Sequence, residues 1–450
     1  MKKRDLTSGN ITLQLTELML PLLLGNILQQ LYNTVDAFII GRCCGELPYA
    51  AIGVAGTVMN LFLFAIVGFC TGLSVIFAQS YGRRDMESFR REHFAALLCA
   101  LTLAGLAGLA GGLLLPDLLR LIQTPVELRA YVTDYLRIIL RGLPVTMLYN
   151  LYSSLLRSIG SARAALLFLG AAVLVNTGLD LLFVAVLGWG VAGAAAATVL
   201  SQLLSAVLSI YWLCLKEPEL RSRRAECRPD GALLRRILRF GSVTALHQSG
   251  LYIGKILVQG AVNSGGLALI TAYTTTTRIE GFANSMGDSG AAATSVMVAQ
   301  NFGAGKSERV RRSYRQSLLL LFGLGLLSAA VMYAGAGLFV RLLLGEGQGA
   351  AWAGAVSYLR IIALFYPLCF TGNTFAGYFD GCGRVEIPMI GAVSHISLRV
   401  LLSWLFVGRY GLDTVAVATG IGWVLVNLMW LLYKVFRMDR SSHPGGDVLH

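Results

Sequence analysis

Tyr32, Asp36, Asn176, Asp180 and Thr198 are the residues of this chain whose types and spacing could do chemistry together. All five stand inside long apolar runs, where an ionisable side chain is costly to keep and marks a functional site. Tyr32 precedes Asp36 by four residues and Asn176 precedes Asp180 by four, so in helices each pair shares a face. At a rise of about 1.5 Å per residue from the ends of their runs, Asp36, Asp180 and Thr198 reach one level, roughly 7 to 12 Å below one membrane surface. Two carboxylates, an amide, a hydroxyl and a phenol at one level support two chemistries. Carboxylates held close in a low dielectric cannot both stay ionised, so such a pair takes up a proton. Alternatively, the oxygens jointly ligate a small hard cation, which makes the Asp36/Asp180 pair a candidate Na⁺ site. A plainer reading has Asp36 paired with an arginine and serving helix packing alone.

The elements that must position these groups are membrane helices. Of 450 residues, 56% are hydrophobic and only 14% charged, with a mean hydropathy of +0.66; soluble domains carry about 25% charged residues. The run from Phe94 to Leu115 and the run from Ser317 to Val340 hold no charge at all, and each is longer than the ~20 residues that span a bilayer. Helices are predicted over 14–41, 50–79, 93–115, 127–157, 164–187 and 190–215, then 237–263, 267–301, 308–345, 352–381, 386–408 and 412–436. Pro144 and Pro367 fall within two of them and are expected to kink them.

The chain also repeats itself. Tyr135-Leu136-Arg137-Ile138-Ile139 recurs as Tyr358-Leu359-Arg360-Ile361-Ile362, and Ala78-Gln79-Ser80-Tyr81-Gly82 as Ala299-Gln300-Asn301-Phe302-Gly303. Ala197-Thr198 returns as Ala418-Thr419. Six helices per half return each half to its starting side, so the halves share one orientation, as in parallel-repeat transporters. The expected fold is an all-α integral membrane protein of twelve transmembrane helices in two six-helix bundles, related by a pseudo-twofold axis along the membrane normal. Residues 1–215 form the first lobe, 216–236 a cytoplasmic linker and 237–450 the second lobe.

A net charge of +13 suggests nucleic acid, but its distribution excludes that partner. Lys and Arg gather between alternate runs, at 2–4, 83–91, 221–236, 306–315 and 434–440, while Arg42, Arg341 and Arg409 stand almost alone on the other side. That asymmetry is the positive-inside rule, and it places both termini in the cytoplasm of a multi-pass plasma-membrane protein, a bacterial inner membrane being the expected setting. The eight cysteines show no metal or redox spacing. No P-loop, H-E-x-x-H or G-x-S-x-G is present, so neither an enzyme nor a cofactor is expected, and work must come from a gradient or from a partner.

The second half does not copy the acidic pair. At the repeat offset Asp36 falls on Leu257, and Asp180 on Leu401 or Ser403, whereas Thr198 keeps Thr419. This half instead holds Lys255, Arg278, Glu280, Asp288 and Arg399, which are expected to form a buried ion-pair network. Asp380 beside Arg384 reads as a packing salt bridge.

Pro21, Gln29, Tyr32-Asn33, Asp36, Arg141-Gly142-Leu143-Pro144, Asn176 with Asp180, Gly188-Trp189-Gly190-Val191, Arg278-Ile279-Glu280 and the repeated Ala-Gln motif together resemble the multidrug and toxic compound extrusion (MATE) family. The resemblance covers almost the whole chain. It implies an antiporter exporting amphipathic, often cationic, organic compounds against an inward flow of H⁺ or Na⁺, with no ATPase subunit and a monomeric state. Within it Asp36, Asn176, Asp180 and Thr198 match the cation-coupling site, Tyr32, Gln29 and Asn33 its neighbours, and Pro21 a proline linked to bending of the first helix. The chain departs from members with a glutamate in the seventh helix, since 240–263 holds no carboxylate. A flippase for lipid-linked oligosaccharides of the same broad superfamily is the alternative, kept open by Lys255, Arg278 and Arg399.

Overall fold

The computed structural model describes residues 5–221, 231–345 and 349–438, with the side chains of 437 and 438 left aside. Its elements are α1 (Ile11–Cys44), α2 (Glu46–Arg83), α3 (Met86–Leu121), α4 (Val126–Arg141), α5 (Leu143–Ser158), α6 (Ala162–Asp180) and α7 (Gly190–Lys216). They continue with α8 (Gly231–Asn263), α9 (Leu267–Gly303), α10 (Ser307–Leu344), α11 (Ala350–Ala363), α12 (Tyr366–Gly381), α13 (Glu386–Tyr410) and α14 (Asp413–Tyr433). Among the described residues there is no strand. Among the described residues eight helices are long and apolar enough to cross a membrane, and α11 with α12, bent by 53°, makes a ninth if the pair is one span. Leu113, Leu174 and Leu319 are more than 70% exposed, a surface that suits lipid rather than water.

The predicted helices 127–157 and 352–381 are each broken in two, and the prolines explain where. Pro144 and Pro367 occupy the first turns of α5 and α12, positions that tolerate a missing N–H. Without that N–H the carbonyl of Leu140 lacks its helical donor, and Gly108 of α3 packs so closely there that a Cβ would strike the Leu140 oxygen. Gly325 of α10 comes to the second break in the same way, its missing Cβ 2.9 Å from Pro367 Cα. The helix predicted over 164–187 changes character at Asp180, where α6 gives way to a π-helical turn over Leu181–Val186. Such widened turns frequently mark functional sites. Of the expected linker, 222–230 lie outside the described residues; Pro218–Leu220 form a single 3₁₀ turn, and α8 is already helical at Gly231, ahead of the expected 237.

Two compact units emerge. Unit 1 comprises Met1–Ser249 with Val296–Val310, and unit 2 comprises Gly250–Ser295 with Arg311–His450. In unit 1, α1 packs on α6, α5 on α2 and α7, and α6 on α7, which sets α1, α6 and α7 around one level. In unit 2, α14 is the central helix, packed on α11, α12 and α13.

The basic end of unit 1 is closed by the repeated Ala-Gln motif. A Cβ on Gly82 would collide with the Gln300 carbonyl, and one on Gly303 with the Gln79 carbonyl, so the two copies meet reciprocally. Residues 5–9 are strapped across this end. Leu6 is fully buried, its carbonyl accepts from Asn301 Nδ2 at 3.1 Å, and Arg309 donates to the carbonyls of Leu6, Ser8 and Gly9 at 3.2, 3.0 and 2.8 Å. Lys306 donates to the Thr7 carbonyl at 2.8 Å, and Arg84 pairs with Asp5 at 3.3 Å.

Candidate functional site

Helix α1 begins with Asn10 accepting from the Leu13 amide at 3.0 Å and runs unbroken past Pro21. It presents Pro21, Gln29, Tyr32, Asn33 and Asp36 toward a cavity inside unit 1. The Tyr32 hydroxyl donates to Thr198 Oγ1 at 3.0 Å and ties α1 to α7. Asp180, at the junction of α6 with its π-helical turn, sets its carboxyl within hydrogen-bonding reach of Asp36. Asn176 lies one turn earlier on α6 and is buried with it. The structure thus brings together all five residues selected from the sequence, from three helices.

The electrostatics of this cluster are one-sided. Asp36, Asp180, Asn176 and Thr198 are all buried, yet no basic side chain pairs with either carboxylate among the described residues. Both oxygens of Asp180, Oδ1 of Asp36 and Nδ2 of Asn176 have no hydrogen-bond partner. Unsatisfied buried carboxylate oxygens are expensive, so this arrangement calls for a proton or a cation. The plainer reading, an Asp36–arginine pair, is not what the structure contains. Tyr135 of α4 lines the same cavity as Asp36 and feels the charge of both carboxylates. Sequence reasoning marked it only as part of a repeated segment, although that repetition was the available signal.

The cavity measures about 400 Å³, within the range that holds drug-sized molecules. Asp36, Tyr32 and Thr198 line it, whereas Asp180 and Asn176 stand behind them, so Asp36 is the carboxylate a ligand meets. Neutral amides form much of the wall: Gln29 and Asn33 from α1, Asn60 from α2, Asn150 from α5 and Gln202 from α7, with Thr146 donating to Gln202 Oε1 at 2.6 Å.

Unit 2 holds the other charges differently from the expected network. Glu280 is buried and accepts from the Tyr358 hydroxyl at 3.1 Å, while Arg399 donates to the Tyr273 hydroxyl at 3.3 Å. Tyr273 and Tyr358 meet edge to face at 6.4 Å, so tyrosines stand between the acid and the base. Lys255, Arg278 and Asp288 form no ion pair among the described residues, although Lys255 bears electrostatically on both Glu280 and Asp288. Arg278 misses the cluster because it sits two residues from Glu280 and therefore on another face. Asp380 makes no bridge to Arg384, and its Oδ1 is buried without a partner.

The MatE family model matches residues 21–182 and 242–405, one segment in each half of the repeat. The chain is similar to the probable multidrug resistance protein YpnP of Bacillus subtilis, 27% identical over 437 residues that cover 96% of this chain and 97% of that one. It is similar to the probable multidrug resistance protein NorM of Thermotoga maritima, 23% identical over 399 residues covering 86% and 82%. Among solved structures, a MOP superfamily transporter from Pyrococcus furiosus superposes with a TM-score of 0.90 over 99% of each chain at 24% identity.

Proposed function

This chain belongs to the MatE family, and on that premise we propose that it is a secondary antiporter exporting amphipathic, cationic organic compounds in exchange for protons. Membership makes it a multi-pass membrane transporter of small molecules; the coupling ion and substrate class are our reading. The observation that carries it is the Asp36–Asp180 pair, two buried carboxyls within reach of each other and without any protein donor for three of their oxygens.

One proton shared between the carboxyls satisfies both and needs no coordination shell. Sodium fits less well, because the Thr198 hydroxyl is already engaged by Tyr32 and Asn176 contributes an unsatisfied N–H. In the deprotonated pair Asp36 carries charge at the cavity wall and attracts a cationic substrate. Protonation removes that charge and releases the substrate, so proton and substrate compete for the same carboxylate. The Tyr32–Thr198 bond links α1 to α7 and allows the state of Asp36 to bear on both helices. We place both termini on the cytoplasmic side of a plasma membrane, following the distribution of Lys and Arg.

The test is dye efflux from cells with surface-quantified protein. Asp36→Asn is expected to lower efflux at least about tenfold, the loss of one charge-assisted interaction, with folding and insertion intact. Efflux near the wild-type rate would remove Asp36 from the mechanism.

A further inference from the structure

The cavity has a second charged end. Arg157 lines it from the last turn of α5. Thr146 on the same helix bonds Gln202, which lies one turn from Thr198 and therefore near the level of Asp36. Eleven residues of helix separate Thr146 from Arg157, about 16 Å at the usual rise. The acidic pair and the arginine thus mark opposite ends of one cavity, with uncharged amides along the wall between them.

Among the described residues no charged group neutralises Arg157. Its Nη1 donates to Ser153 Oγ and its Nη2 to Ser154 Oγ, both at 3.1 Å. Hydroxyls accept a hydrogen bond without supplying charge. The other titratable groups that bear on it are the Tyr149 phenol and the Cys70 thiol, and no carboxylate pairs with it among the described residues. The C-terminal end of α5 offers only a partial negative charge. Arginine does not shed its proton, and an uncompensated guanidinium within a membrane helix is costly. The two serines fix the plane of the guanidinium while its remaining N–H groups stay available to a planar acceptor.

We propose that the cavity takes amphoteric compounds, with Arg157 receiving a carboxylate of the ligand while its basic part lies toward Asp36. This rests on the reading of the cavity as the transport site and narrows its substrate class. A purely cationic compound meets repulsion at Arg157; a zwitterion gains at both ends. Along the wall, Asn150, Gln202 and the amides of α1 hydrogen-bond the polar middle of such a molecule without choosing its charge.

The experiment uses one dye in two forms. Rhodamine B is a zwitterion at neutral pH, and its ethyl ester keeps the cationic ring system but loses the carboxylate. Affinities of both are measured by fluorescence polarisation on purified full-length protein, in detergent micelles and in phosphatidylcholine nanodiscs, and the ratio between them is the readout. Wild-type protein is expected to bind the acid about tenfold tighter than the ester, the effect of one charge-assisted contact. Arg157→Gln brings the ratio close to one, and Arg157→Lys, which keeps charge but loses the planar fork, leaves it between the two. Asp36→Asn weakens both dyes and preserves the ratio.

A wild-type ratio near one, or a ratio that Arg157→Gln and Arg157→Lys leave unchanged, overturns the inference and leaves the efflux reading standing. A preference present in micelles and abolished in nanodiscs also overturns it, since a lipid phosphate then occupies Arg157. Binding of neither dye overturns both readings together.

Discussion

Both units bury a carboxylate beside the tyrosine of the repeated Tyr-Leu-Arg-Ile-Ile segment, yet they balance its charge in opposite ways. Tyr135 lines the cavity with Asp36 in unit 1, and its repeat partner Tyr358 bonds Glu280 in unit 2. Glu280 has Arg399 close by, reached through Tyr273, so unit 2 supplies its own counter-charge. The acidic pair of unit 1 has none among the described residues. Duplication preserved the helices, the proline breaks and the tyrosine, while the charges diverged. On this comparison we propose that the coupling chemistry resides in unit 1 and that the cluster of unit 2 is structural.

The largest expected effect separates the two clusters. Asp180→Asn, like Asp36→Asn, abolishes pH-dependent dye efflux with little change in melting temperature. Glu280→Gln leaves the pH profile of efflux intact but destabilises the protein by about 1–3 kcal/mol, because Arg399 loses its nearby charge. A shifted pH profile in Glu280→Gln, measured on surface-quantified protein, would break the comparison.

A smaller effect tests where the two halves of the repeat remain alike. Since Gly82 and Gly303 approach each other's motif reciprocally, Gly82→Ala and Gly303→Ala should cost similar stability, about 1–3 kcal/mol each. Differential scanning fluorimetry in detergent reads this directly; a large effect from one and none from the other would show that the contact is not reciprocal. Smallest is Tyr32→Phe, which removes the bond to Thr198 and is expected to cost about 0.5–1.5 kcal/mol.

Much of this was legible in the sequence because membrane helices leave few ways to satisfy a polar group. Asp36, Asn176, Asp180 and Thr198 stood out against apolar surroundings, and helical rise alone set three of them at a common depth. Pro144 and Pro367 announced the places where helices break, though not that each break would be complete. Other features had no local signal. Nothing in Leu181–Val186 distinguishes a π-helical turn from an α-helix. The burial of Leu6 and Thr7 had no such signal either, because the groups that hold the strap, Asn301, Lys306 and Arg309, lie nearly 300 positions away. Arg157 resembled any basic residue at a helix end until the cavity showed which way it faces.

The central claim is that the unpaired carboxylates of unit 1 couple transport to protons, and purified protein in sodium-free proteoliposomes tests it most directly. An imposed pH gradient alone should drive accumulation of a cationic dye, and Asp180→Asn should flatten the dependence of that transport on pH. Transport that stays silent under the pH gradient, yet rises and saturates as Na⁺ is added at constant pH, would contradict the proton assignment.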